Sequence, residues 1–324
     1  MRTLAATLIA LLATCVSLTA AEPSYPSRPI SIVVPWGAGN STDIVTRRMG
    51  DILSKRLGQP VVVENKPGAG GITGTAFVAR AKPDGYTLLM GSSGPNAAAA
   101  SLKPKSLPYD VMKDFQPIAR LVDMPNVLIV GMNHPAKNFA DLIKASKEAP
   151  GKVSYASSGV GTSVHLSGRA LGLATGAELL EVSYTSSPPA VVDVIAGRVD
   201  TIFTNIQVAL PQIQGKQVRP LAISGAIRSP LLPDVPTMAE LGFPDFVAGS
   251  WMGLFAVGGT DWAIIEKLNR EVSAIAADPA FRAANVAEGS FPVSGDTPDK
   301  FKAFVARDVD VWGKIVKAIG LTMD

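Results

Sequence analysis

Gly37-Ala38-Gly39-Asn40-Ser41 and Gly159-Val160-Gly161-Thr162-Ser163 share one spacing, Gly-x-Gly-x-Ser, and these two stretches decide the fold. Each follows a short β-branched run, Ile30 to Val34 or Val153 to Ala156, and each opens a longer stretch of helical character. A strand turning sharply into a helix leaves backbone N–H groups, hydroxyls and the positive end of a helix dipole at the carboxyl edge of a sheet. That combination is a cradle for an anion. The loops lie roughly one domain length apart, so they belong to different lobes facing one cleft rather than to a single nucleotide site. One such loop alone reads equally well as a tight turn; a matched pair is explained by a small anionic solute clamped between them.

Working outward, short β-branched runs alternate with amphipathic ones, the pattern of β-α units in a mostly parallel sheet. Val45, Met49, Ile52, Leu53 and Leu57 recur at helical spacing, and Gly58 stops that helix. Val61 to Glu64 predicts a strand, Ile72 to Ala81 a helix, and Thr87 to Gly91 a strand after the Pro83-Asp84-Gly85 turn. Beyond a Pro-rich connector, Ile118 to Val122 and Val127 to Gly131 read as two strands, followed by a helix capped by Asn138 and running to about Ala149. Then come strand Val153 to Ala156, helix Val164 to Thr175, strand Leu179 to Tyr184, a helix opening at Pro188 and Pro189, and strands Val199 to Asn205 and Val218 to Ser224. Arg228 to Pro244 reads as a loop, Trp251 to Val257 as a strand, and two or three helices fill Asp261 to Ile319.

The expected architecture is α/β, with two lobes, each a mostly parallel sheet flanked by helices, and a ligand cleft between them. Crossovers near Asp123 to Pro125 and near Val247 to Ser250 assign 22–123 plus 248–324 to lobe 1 and 124–247 to lobe 2. The C-terminal helices then return to lobe 1.

At 324 residues, 47% apolar and only 18% charged, the composition is that of a globular chain of about two domains. A net charge of +3 without any Lys/Arg stripe argues against a nucleic-acid surface. Residues 1–21 read as a cleaved secretory signal: Arg2 starts it, Leu4 to Leu18 are mainly apolar, and Thr19, Ala20 and Ala21 are small. The apolar run is short of the ~20 residues of a membrane span. Leu12, Ala13, Thr14 and Cys15 loosely resemble a lipobox, an alternative weakened by Thr14. Cys15 is the only cysteine, so the expected mature chain, beginning near Glu22, has no thiol for disulfides, metal binding or nucleophilic chemistry.

Catalytic parts are scarce. Neither glycine loop carries the lysine of a phosphate-binding P-loop, and Thr42 and Val164 stand where a dinucleotide loop has its third small residue. The run Gly68-Ala69-Gly70-Gly71 reads as a shaped loop. Of the two histidines, His134 reads as a solvated turn residue, and His165, one helical step beyond Ser163, as a structural residue at a helix start, with ligand contact as the alternative. No Gly-x-Ser-x-Gly elbow follows the signal, and no His/Cys cluster suggests zinc. The expectation is no catalytic residue, no metal and no cofactor, hence not an enzyme. Asp43 reads as a first-turn helix residue complementing the dipole. Trp36, Trp251, Tyr155 and Tyr184 adjoin strand ends or crossovers, and serve as cleft walls or as core.

Several stretches together carry a resemblance: YPSRPI (25–30), VPWGAGNSTD (34–43), GQPVVVENKPGAGG (58–71), PDGYTL (83–88), YASSG (155–159), PDVPT (233–237) and SWMGLFA (250–256). They resemble the Bug family, the substrate-binding proteins of tripartite tricarboxylate transporters, over nearly the whole mature chain. The resemblance implies a periplasmic-binding-protein-like, type II-like fold that closes like a Venus flytrap about a hinge, a small carboxylate ligand, and delivery to membrane permease subunits. Its residues, carried over, are Gly39, Asn40, Ser41 and Thr42 in lobe 1 and Ser157, Ser158, Gly159, Gly161, Thr162 and Ser163 in lobe 2, with Tyr184 and Asn205 behind them and Trp36 as a wall. The family often has more glycines where this chain has Asn40 and Ser41, and a lysine where it has Thr185. Losing that cation puts the usual di- or tricarboxylate in question and admits a smaller, aromatic or less charged acid. A periplasmic sensor that presents its bound solute to a signalling kinase is the competing reading; a secreted hydrolase is disfavoured. The protein is expected to be monomeric.

Overall fold

The computed structural model describes residues 25–322 apart from 160, 226, 245, 247 and 248. The expected signal segment, Cys15, Val160 of the second loop and Val247 of the second crossover lie outside the described residues.

The first series is β1 (Ile30–Val34), α1 (Ser41–Leu57), β2 (Val61–Asn65), α2 (Ile72–Ala79), β3 (Thr87–Ser92) and the short α3 (Ala99–Leu102), which continues a π-turn over Gly94–Ala98. A long strand, β4 (Phe115–Gly131), leads to α4 (Phe139–Glu148) and a second series: β5 (Ser154–Ser157), α5 (Ser163–Thr175), β6 (Leu180–Ser183), α6 (Ser187–Ile195), β7 (Thr201–Asn205), α7 (Ile206–Gln214) and β8 (Val218–Ile223). The chain closes with β9 (Gly249–Val257), α8 (Trp262–Ala277), α9 (Pro279–Ala287), β10 (Phe291–Pro292) and α10 (Pro298–Ala318).

The two series build the same parallel trio. In one, β1 pairs in parallel with β2 on one side and β3 on the other. In the other, β5 pairs in parallel with β6 and β7. Each trio is extended by an antiparallel strand, β9 beside β3 and β4 beside β7. The central strand of each trio is therefore where successive connections part to opposite sides, and both Gly-x-Gly-x-Ser loops sit at that point, where open α/β sheets bind ligands.

The sequence reading splits β4 into two strands, whereas the structure shows one continuous strand. Its first part, Phe115 to Pro125, pairs with β9; its second, from Asn126, pairs with β7 and β8. Pro125 donates no ladder hydrogen bond, and it stands where the strand changes partners, so it ends one pairing without ending the strand. Asn126 restarts the ladder: its N–H donates to Ser224 Oγ at 2.8 Å, and its carbonyl accepts from Ser224 N.

Each lobe has its own apolar interior. Ile32, Val45, Met49, Leu88, Leu254 and Leu268 pack on the first-series side, while Val127, Val164, Val191, Ile202 and Ile206 pack on the second. Helix α10 divides its burial. Phe301 and Val305 join Val33, Phe115 and Phe255, while Trp312 and Val316 join Leu128, Leu166 and Phe203. Among the described residues no helix is long and apolar enough to cross a membrane.

Candidate functional site

The first loop is fixed from below by Asp43. Asn40 caps α1, its Oδ1 accepting the Asp43 N–H at 2.9 Å, and the buried Asp43 carboxylate reaches back to accept the Gly39 N–H at 2.8 Å. Arg47 and Asn65 also donate to that carboxylate, and Asn65 Nδ2 donates to the Trp36 carbonyl as well. Burial alone would raise the Asp43 pKa, but the donors from Arg47, Gly39 and Asn65 outweigh it and hold the carboxyl below its usual range. Asp43 thus shapes the loop, a larger role than the dipole partner expected of it, and the Gly39 N–H it engages is not a free donor. The shaped loop at Gly68 to Gly71 supports the neighbouring wall: a Cβ on Gly71 would meet the Trp36 ring at 3.2 Å.

The second loop has the same construction. Thr162 caps α5, its Oγ1 accepting from His165 N and donating to the Gly159 carbonyl at 2.8 Å. Gly159 and Gly161 have φ of 101° and 83°, a region costly for other residues. Buried His165 accepts the Gly161 N–H through Nδ1.

A cavity of about 480 Å³ lies between the two loops. Of the expected residues, Trp36, Gly39, Asn40, Ser41, Thr42, Ser158, Thr162, Ser163 and Asn205 line it. Ser157, Gly159, Gly161 and Tyr184 do not. Ser157 is fully buried at the end of β5, and the Tyr184 hydroxyl is turned to Asp193 at 2.6 Å. Trp251 and Tyr155 belong to the core rather than to the cleft: Trp251 Nε1 donates to Asp308 at 2.7 Å, and the Tyr155 hydroxyl to Glu181 at 2.7 Å. His134, expected in solvent, is mostly covered, with Nε2 3.3 Å from Asp200.

The cavity also draws on residues outside the expected binding set, among them Thr185, which the sequence reading names only as the replacement of a family lysine. Ser92 ends β3 and Ser93 and Gly94 follow it, Thr185 to Pro188 follow β6, Gln207 and Val208 open α7, and Met124 and Ser250 come from β4 and β9. The signal that could have found them is positional: they follow or adjoin strands of the same parallel trios, on the edge where the two loops lie. Ser92 is 4% exposed, and its Oγ has no hydrogen-bond partner among the described residues.

Among the described residues no ionisable side chain lines the cavity. Positive potential comes instead from helix starts. The N-termini of α1, α5, α6 and α7 all contribute to the lining, each carrying up to about half a unit of positive charge. For α6 and α7 no side chain caps the first N–H groups. Such a lining is able to hold an anion through neutral donors, and among the described residues it contains no nucleophile–base pair. Among the described residues no cluster of acidic, His or Cys side chains could hold a metal ion.

Comparison with known proteins shows the family to which the chain belongs. The family model described as "Tripartite tricarboxylate transporter family receptor" matches residues 45–321. Protein BugT of Bordetella pertussis is 40% identical over 298 residues, 92% of this chain and 91% of that one. Among solved structures, R. palustris Rpa4515 with adipate superposes with a TM-score of 0.82 at 31% identity, covering 92% of this chain and 99% of that one. MatC from Rhodopseudomonas palustris with bound malate gives a TM-score of 0.79 at 33% identity, covering 90% of this chain and 100% of that one. The chain belongs to the tripartite tricarboxylate transporter receptor family, whose members are solute-binding proteins, and it has their two-lobed α/β fold.

Proposed function

We propose that this chain captures a small carboxylate in the periplasm, by closure of the two lobes, and delivers it to membrane subunits of a tripartite tricarboxylate-type transporter. The observation that carries the reading is the cavity where the starts of α1 and α5 face each other with, among the described residues, no charged side chain between them. The relatives solved with adipate and with malate support the ligand class, and the family supports the transporter partner.

Capture follows from helix-end chemistry. The first-turn N–H groups of a helix have no intrahelical acceptor. Those of Ser41 and Thr42 on one side, and of Ser163 and Val164 on the other, replace the water that a carboxylate sheds on entering the cleft. The hydroxyls of Ser41, Ser158 and Ser163 add donors, while Trp36, Ile44, Met124 and Val208 border the rest of the solute. Because the donors are neutral, the complex has no buried ion pair to break when the cleft reopens. The segment 1–21 is removed on export in this account, the lobes divide at 123/124 and 247/248 with α10 shared, and the protein acts as a monomer.

Proline at the first helical position tests the placement of the donors. That position tolerates proline, which deletes the N–H, and the preceding residues are already extended, Asn40 at φ −79°, ψ 171° and Thr162 at φ −73°, ψ 158°. Ser41→Pro and Ser163→Pro are each expected to weaken carboxylate binding by roughly tenfold or more at unchanged helix content. Ser41→Ala and Ser163→Ala, which keep the N–H, should lose less. Unchanged affinity in both proline variants would show that the carboxylate sits elsewhere.

A further inference from the structure

Within the Gly-x-Gly-x-Ser pattern, the side chain four residues after the second glycine plays the same part in both lobes, with different chemistry. In lobe 1 this is Asp43, whose carboxylate accepts the Gly39 N–H at 2.8 Å. In lobe 2 it is His165, whose Nδ1 accepts the Gly161 N–H at 3.3 Å. Each bond turns the glycine amide inward and leaves the following residues to present their groups to the cavity.

We infer that His165 is a positioning residue for the ligand cleft: its unprotonated Nδ1 holds the second loop in its binding shape, and protonation of the ring releases that loop while the first stays fixed. The inference rests on the cavity being the ligand site.

The tautomer follows from the neighbours. Nδ1 faces an N–H donor and so carries no proton, while Nε2 lies 3.5 Å from Glu181 Oε1 and so carries it. Glu181 is held in turn by the Tyr155 hydroxyl. The charged groups acting on the ring are Glu181 on β6, which favours its protonation, and Arg169 on α5 itself, which opposes it. Strands β7 and β9, also packed against α5, carry no titratable side chain, and Asp308 of α10 is turned to Trp251. Burial of the ring outweighs the pull of Glu181 and sets its pKa below the ordinary 6.5. At neutral pH Nδ1 is therefore an acceptor, and it becomes a donor only on acidification. An imidazolium has no lone pair for the Gly161 N–H, so the loop loses its tie. Asp43, held below its usual range, keeps its charge over the same interval.

The test uses nitrogen NMR on the ligand-free mature chain, whose two histidines make the ring signals assignable by substitution. At pH 8 the His165 Nδ1 shift should be that of an unprotonated acceptor, and the Gly161 amide should move on acidification with the same midpoint as the His165 ring. His165→Asn places an amide oxygen near the Nδ1 position without a titrating group; its Gly161 amide should stay protected and lose the pH response. His165→Leu should speed Gly161 amide exchange by roughly tenfold. With adipate or malate as probe, affinity should fall more steeply on acidification in the wild type than in His165→Asn, which keeps only the fall caused by protonation of the probe itself. A protonated Nδ1 at pH 8, or a Gly161 amide indifferent to the titration of His165, would overturn the inference. If wild type binds neither probe nor any other carboxylate, the carboxylate reading fails separately, and the amide measurement still decides the role of His165.

Discussion

Single side chains here act mostly by fixing backbone that others use. Asn40 is an example, because its carboxamide caps α1 at the edge of the cavity. Asn40→Ala should cost about 1 kcal/mol in denaturant unfolding and weaken carboxylate binding, since one residue serves both ends. Two carboxyls, one buried and one partly buried, give opposite pH slopes. Burial pushes the Asp308 carboxyl up to about 6, so the folded protein binds that proton more tightly than the unfolded chain does. Its contribution is full below the ordinary 3.8 and is lost as pH rises through about 6. Asp308→Asn should therefore stabilise the protein at pH 8 relative to wild type by about 1–3 kcal/mol, with a smaller gain at pH 4. Asp200 runs the other way: His134 and the N–H and hydroxyl of Ser154 lower its carboxyl to about 2 despite partial burial. That stabilisation is present above the ordinary 3.8 and is lost as pH falls toward 2. Asp200→Asn should cost about 1–2 kcal/mol at pH 7 after allowance for solvent screening, with the cost fading below pH 3. Melting curves across pH for the two variants check both signs.

At the scale of elements, periodicity makes most of the frame legible in the sequence. Strand β1, helix α1 and its stop at Gly58, where φ is 67°, all follow from local pattern. So did the matched loops, because Gly-x-Gly-x-Ser states its own geometry. The rest was illegible for physical reasons. Continuity of β4 through Pro125 depends on partners far away in the chain, β9 on one side and β7 and β8 on the other. Helix α7 contains Pro211 and begins immediately after β7, so no turn signal separates them. Ser92 and Ser93 look like any loop serines until folding buries them beside the cavity. Tyr184 lies outside the cavity lining, since a strand-end tyrosine says nothing of where its hydroxyl points, and Asp193, nine residues on, captures it. Helix α2 supplies a test of packing against the first loop. A Cβ on Gly74 would lie 2.6 Å from the Lys66 carbonyl oxygen and 2.8 Å from Pro35 Cα, both backbone atoms with little room to yield. Gly74→Ala should lower stability by about 1–3 kcal/mol, read as a lower melting temperature.

The whole molecule behaves, in this account, as two similar halves on a shared pair of strands. β4 and β9 run together from Phe115 and Val257 to Pro125 and Gly249, and there β4 passes into the second half. Side chains also tie the halves: Arg48 of α1 meets Asn285 and Glu288 at 2.9 and 2.7 Å, and Gln207 of α7 reaches the same glutamate at 3.4 Å. Gln207 also lines the cavity, so a ligand there touches a residue of this link. Closure about the strand pair would bring the starts of α1 and α5 onto one solute, which is the central claim. The most direct measurement is the melting temperature of the mature chain with a panel of mono-, di- and tricarboxylates, each paired with its uncharged amide at matched ionic strength. A ligand that binds only the folded state raises that temperature by mass action. The account predicts stabilisation by one or more acids and none by the matching amides. Equal stabilisation by acid and amide, or stabilisation confined to sugars or amines, would contradict it.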